Sequence, residues 1–261
     1  MAARVVVDIG NTRIKWGLLD AAGGLAQRHA SDIPADLSGS GAEWVASLDP
    51  WTRSARTEWA ISSVNPPVAE VFRQWLTMIG GAEVRWYGSA ADVPLTMRVL
   101  KPAEAGADRA LAVLAASGLA ASRGAGLVVS CGTALTIERV DASGVWEGGA
   151  IAAGLDMVSS AMQRSTAQLP RVEVGGEVPA WGDETESAMQ AGAFWGTVGA
   201  LRELIARQGD RTWRIWTGGH APLLAPRVEG EGTTPWIVPD LVLRGLAMAA
   251  FGAPAGESWD V

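Results

Sequence analysis

The strongest constraint on this chain is a pattern that occurs twice. VVVDIGNTRIKWG at 5–17 lies over LVVSCGTALTIER at 127–139 without a gap. Asp8 falls on Ser130 and Gly10 on Gly132. Each copy is an apolar strand, a tight glycine turn with Asn or Thr, and a second strand. The copies start near half the chain apart, which indicates duplication into two similar α/β halves. Any buried hairpin also reads apolar–Gly–apolar. Duplication is favoured because both halves continue with strands and then helices.

The remaining pattern agrees with an α/β fold, since short β-type runs alternate with longer helical ones. Strands are predicted near 3–9, 13–19, 58–64 and 83–88, and helices near 67–79 and 107–121. A new β-run opens at 126–141 and another follows at 145–151. Helical patterns recur at 154–164, 185–208 and 240–251, with the strand-like RTWRIWTGG at 211–219 ahead of the last. The expected domains are 1–120 and 121–261, with a cleft between them of the kind that takes small molecules.

Composition narrows the function. Hydrophobic residues make up 48% and charged residues 19% of the 261 residues, as in a folded globular protein. Net charge is -7 and the pI is about 4.9, which argues against a nucleic-acid or anionic-membrane surface. Cys131 is the single cysteine, so neither a disulfide framework nor a Cys-based zinc site is available. His29 and His220 are far apart, without ligand-like spacing and without the grouping that a Ser-His-Asp or Cys-His mechanism requires. Asp8 interrupts the early apolar run, which speaks against a signal peptide. No apolar run approaches the ~20 residues of a membrane span. The expectation is a soluble, cytoplasmic protein.

The repeated hairpin points to phosphate chemistry. A turn carrying Gly and Thr offers N–H and O–H donors to phosphate oxygens. A carboxylate at the strand end, Asp8, would face a metal ion, and Mg²⁺ is commonly held by one or two carboxylates plus substrate phosphates. Neither a Walker A motif nor the protein-kinase signature set is present. Plainer readings exist for the same residues. Asp108 before a helical run could serve as an N-cap. Thr12 and Thr133 could be ordinary turn residues, and Lys15 either a solvated side chain or a reach toward a phosphate. Cys131 reads as a small core residue, His220 as a surface residue, and the thirteen Trp residues mostly as packing.

Taken in order, the motifs carry a resemblance. DIGNTRIKWGL at 8–18, SSVNPP at 62–67, GADRALAVLAA at 106–116 and CGTALTIE at 131–138 are followed by GGAIAAGL at 148–155 and TAQLP at 166–170. ETESAMQAG at 184–192, TGG at 217–219 and DLVLRGLA at 240–247 complete the series. Along its whole length the chain resembles the type III pantothenate kinases of the acetate/sugar kinase–Hsp70–actin superfamily. The resemblance implies two ribonuclease H-like (actin-like ATPase) domains and ATP-dependent phosphorylation of pantothenate to 4′-phosphopantothenate, the first step of coenzyme A synthesis. It implies that Asp8, Gly10, Asn11, Thr12, Lys15, Gly132 and Thr133 serve ATP, with Asp8 supporting Mg²⁺ through water. Val99, Gly106, Ala107, Asp108, Arg109 and Thr185 would serve pantothenate, with Asp108 as general base. It further implies a homodimer and a monovalent cation, K⁺ or NH₄⁺.

Three positions depart from the family pattern. Ser130 stands where the family usually has an Asp associated with the monovalent cation, and its uncharged hydroxyl would bind K⁺ weakly; Glu138 stands where Asp is more usual. Val99 stands where Tyr often packs on pantothenate. Ala153 stands where Pro is usual, which loosens one loop. Ser130 and Val99 are also what a catalytically silent binding or accessory paralogue would carry. A kinase acting on another small alcohol is a further alternative.

Overall fold

The structure, a computed structural model, describes residues 2–37, 41–47, 57–80 and 83–255. The chain divides into two units. The first runs to Leu119 and resumes at Leu241; the second spans Ala120–Asp240.

The first unit is built on a five-stranded sheet. Its strands are β1 (Ala3–Ile9), β2 (Arg13–Leu19), β3 (Leu25–Asp32), β4 (Thr57–Ser63) and β5 (Glu83–Tyr87), in the order β3-β2-β1-β4-β5. The hairpin partners β1, β2 and β3 are antiparallel, while β4 and β5 run parallel to β1. Its helices are α1 (Gly41–Ser47), α2 (Pro66–Ile79) and α3 (Ala107–Leu119), joined by α7 (Leu241–Phe251). Helix α2 has clear stops: Asn65 Oδ1 accepts from Val68 N, Pro66 opens it, and Gly80 ends it with φ 66°. One sheet face buries Val5, Val7, Ile9, Ile14 and Ile61 against Val68, Phe72 and Leu76. Trp59, Phe72 and Trp75 meet edge to face there, so these indoles are packing.

The second unit repeats the plan. Its strands are β6 (Gly126–Cys131), β7 (Ala134–Val140), β8 (Trp146–Ala153), β9 (Trp213–Thr217) and β10 (Trp236–Ile237), in the order β10-β9-β6-β7-β8. Read from the other edge, each strand corresponds to one of β3-β2-β1-β4-β5, with matching directions. The helices are α4 (Leu155–Ser165), α5 (Thr185–Ala206) and α6 (Ala221–Glu229). Leu127, Val129, Cys131, Leu135 and Ile137 pack against Phe194, Val198 and Leu201 of α5. The β-run expected over 126–141 is thus a hairpin with its turn at Gly132-Thr133.

Helix α7 lies with the first unit, although the sequence places it in the 121–261 half. The reason is a close helix–helix approach. A Cβ at Gly245 would meet the backbone of Leu111 on α3, so glycine here lets the two helices touch. Leu243, Leu246 and Ala247 of α7 and Leu111, Val113 and Ala115 of α3 are all buried.

Candidate active site

In the first unit the site begins at the end of β1. Gly10 N donates to Arg13 O at 3.0 Å and closes the hairpin over Asn11 and Thr12, both exposed. A Cβ on Gly10 would sit 3.0 Å from that same carbonyl oxygen, a tight contact that the turn would have to relax by a few tenths of an ångström. Ile33 N donates to Thr12 O at 2.9 Å and ties the turn to the chain after β3.

Register then fixes what surrounds Asp8. Lys15 on β2 and Ser62 on β4 are its direct cross-strand partners, and Tyr87 on β5 is the partner of Ser62. Directly paired residues share a sheet face, so Lys15, Asp8, Ser62 and Tyr87 form one row. Ser62 Oγ donates to Asp8 Oδ1 at 2.8 Å. Burial raises the Tyr87 phenol above its ordinary pKa.

Helix α3 supplies the second carboxylate. Asp108 lies in its first turn, one residue inside the helix start, and its Oδ1 accepts from Arg109 N at 2.9 Å. An N-cap instead accepts from the N–H two or three residues on. The carboxylate folds back over Gly106, where a Cβ would meet Asp108 Oδ1. A side chain at 106 would therefore displace that carboxylate. Ala107 is buried, while Asp108 and Arg109 are partly exposed. The segment before them loops out and returns, Ala90 N donating to Ala105 O at 2.8 Å. Val99 is half-buried in that loop and Leu100 next to it is exposed.

In the second unit the matching hairpin closes through Gly132 N to Ala134 O at 3.1 Å. Gly154 N donates to Thr133 O at 3.1 Å, and a Cβ on Gly154 would meet the carbonyls of Gly132 and Thr133. Gly218, at φ 93°, lies against the Cys131 backbone, and His220 N donates to Cys131 O at 3.0 Å. Glycine-bearing turns at 154 and 218 thus reach backbone distance of the 131–133 turn, the first at Gly132 and Thr133 and the second at Cys131. His220 is half-buried, with Nε2 3.9 Å from Asp156 Oδ2 on α4. Thr185 is exposed at the first position of α5.

Ser130 pairs with Thr136 on β7 and Thr217 on β9, the positions that match Lys15 and Ser62. The charged row of the first unit is replaced here by three hydroxyls. Glu138 lies on the same face of β7 as Thr136, but it is buried and its Oε2 accepts from Trp146 Nε1 at 2.9 Å. It serves the interior of the unit.

No group of three or more His, Cys, Asp or Glu side chains that could hold a metal occurs among the described residues. Asp8 fits a Mg²⁺ that arrives with nucleotide phosphates and keeps most of its waters, because such an ion needs only one or two carboxylates. The side chains that the sequence reading left without a role are Ser62 and Asn65. Their signal was SSVNPP, a serine run before an Asn-Pro helix start.

A sequence model of type III pantothenate kinases matches residues 4–207. The chain belongs to the type III pantothenate kinase family. The type III pantothenate kinase of Gluconobacter oxydans (strain 621H) is 34% identical to it, over 94% of this chain and 92% of that protein. That of Dehalococcoides mccartyi (strain CBDB1) is 32% identical, over 93% of each. Among solved structures, the inorganic polyphosphate/ATP-glucomannokinase of Arthrobacter sp. strain KM is similar, with a TM-score of 0.50 and 16% identity over 95% of this chain and 98% of that one. Component A of the (R)-2-hydroxyglutaryl-CoA dehydratase of Acidaminococcus fermentans gives a TM-score of 0.53 at 12% identity, over 97% and 98%. These likenesses are of fold: two α/β units of the actin-like type, as the repeated strand order requires.

Proposed function

We propose that the chain transfers the γ-phosphoryl group of ATP to the primary hydroxyl of pantothenate, with Asp108 as general base. The observation that carries this is the Asp108 carboxylate folded over Gly106 at the start of α3, within the family motif GADR. Asp108 accepts the hydroxyl proton as the alcohol oxygen bonds to the γ-phosphorus. The bond from that phosphorus to the β–γ bridging oxygen breaks, and ADP leaves. A primary alcohol is a weak nucleophile, and a carboxylate in hydrogen-bond reach contributes about 10²–10⁴ in rate. Arg109, with its planar fork, pairs with the pantothenate carboxylate. Gly106 and Ala107 bring backbone close to the substrate, Val99 supplies an apolar wall, and Thr185 helps close the pocket.

Gly10, Asn11 and Thr12 present donors to the ATP phosphates, with Lys15 beside them and Gly132 and Thr133 contributing from the second hairpin. Asp8 holds Mg²⁺ through water. When bound, the ion neutralises charge on the phosphates as the transfer proceeds. Activation by K⁺ or NH₄⁺ is weak in this reading, because Ser130, Thr136 and Thr217 offer dipoles without charge. No helix among the described residues is long and apolar enough to cross a membrane. Assembly as a homodimer and action in the cytoplasm follow from the family resemblance, and sedimentation velocity tests the former.

The test is ADP release coupled to a reporter enzyme, with pantothenate as acceptor. Turnover is expected, and Asp108→Asn should lower kcat by about 10²–10⁴ while pantothenate still binds. Absence of pantothenate-dependent ADP release with K⁺ and with NH₄⁺ refutes the proposal.

A further inference from the structure

SSVNPP at 62–67 has no part in the chemistry above, yet three of its residues hold three consecutive residues of the first hairpin. Ser62 Oγ donates to Asp8 Oδ1 at 2.8 Å, Val64 N donates to Ile9 O at 3.1 Å, and Asn65 Nδ2 donates to Gly10 O at 3.4 Å. Asn65 is itself fixed. Its Oδ1 accepts from Val68 N at the start of α2, and its backbone exchanges two hydrogen bonds of 3.1 Å with Ser63 Oγ.

Ser62 is the telling residue. It is fully buried at 0% exposure, beside Ala60 and in register with the row that includes Asp8. An alanine would suit such a position, and a buried hydroxyl is costly unless it is hydrogen-bonded. A carboxylate turns about its last torsion with a broad, two-fold preference. A buried donor at hydrogen-bond distance from Oδ1 favours one orientation of the carboxylate.

We infer that Ser62 is a positioning residue: it orients the Asp8 carboxylate for the hydrated Mg²⁺ of the bound nucleotide. The inference rests on the proposed role of Asp8. Ser62 does not touch the nucleotide; it acts through Asp8, while Asn65 sets the turn beside it.

Calorimetric titration of the full chain with ADP, with and without Mg²⁺, tests this on wild type, Asp8→Asn, Ser62→Ala and Ser62→Thr. Ser62→Ala should lose about tenfold of the Mg²⁺-dependent tightening, with metal-free ADP affinity and the KM for pantothenate unchanged. Ser62→Thr, which keeps the hydroxyl, should recover most of it. Circular dichroism checks folding, and Ser62→Cys, near in size with a weaker donor, replaces Ser62→Ala if that variant does not fold. Full Mg²⁺ dependence in Ser62→Ala, together with its loss in Asp8→Asn, overturns the inference and leaves the role of Asp8 standing. Full Mg²⁺ dependence in Asp8→Asn overturns that role and the inference with it. Equal loss of metal-free and metal-dependent affinity in Ser62→Ala marks a structural serine and also overturns the inference.

Discussion

Trp146 donates its indole N–H to Glu138 Oε2 at 2.9 Å, and both side chains are buried in the second unit. The bond makes the Glu138 carboxylate an internal strut. Trp146→Phe removes a donor to a buried acid and leaves space where the larger ring was. The expected cost is about 2–4 kcal/mol, read as a lower urea midpoint with an unchanged slope.

Ser130, Thr136 and Thr217 occupy the places that Asp8, Lys15 and Ser62 hold in the first unit. Ser130→Asp would place a carboxylate across from the Thr217 hydroxyl, as Asp8 lies across from Ser62. The variant should fold, and K⁺ at constant ionic strength should raise its kcat/KM several-fold more than it raises that of wild type. Initial rates in K⁺ against Li⁺ measure the difference.

Gly106 leaves room for the Asp108 carboxylate. Gly106→Ala forces the carboxylate to rotate away, while the helix start itself tolerates alanine. We expect kcat to fall by about 10- to 100-fold, in line with a misplaced catalytic group, and the melting temperature to stay within a few degrees.

Burial pushes the Cys131 thiol up to about 12 from 9.0. The folded state keeps its proton where the unfolded chain has lost it, so this contribution is complete below about pH 9. It declines as pH rises from there toward 12, by about 1.4 kcal/mol per unit. Cys131→Ala should flatten the alkaline fall of stability measured by urea unfolding between pH 8.5 and 10.5, at a constant offset for the lost packing. In the native protein the thiol should resist iodoacetamide at pH 8, since the thiolate is the reactive form.

Much of this was legible from the chain. The two central hairpins announced themselves as β-branched runs around a glycine turn, and the proposed phosphate contacts fall on that same turn. Strand β3 was not legible, because LAQRHASD buries almost nothing after Leu25 and so has no alternation to read. Helix α6 was hidden by Pro222 at its start and Pro226 inside it. The partner of α7 was hidden for another reason: periodicity reveals which face is apolar, and only the glycine at 245 hints that a helix comes very near. Ser62 escaped notice because its meaning lies in register with Asp8, 54 residues away.

The return of α7 also orders the assembly of the chain in time. Everything from Ala120 to Asp240 is one uninterrupted stretch, so the second unit has its full complement of strands and helices before α7 is made. The first unit begins with β1 yet lacks the helix that covers α3 until after that stretch is synthesised. On the ribosome, the unit that starts first is completed last, and the buried face of α3 must wait, exposed or shielded, for a helix encoded more than a hundred residues downstream.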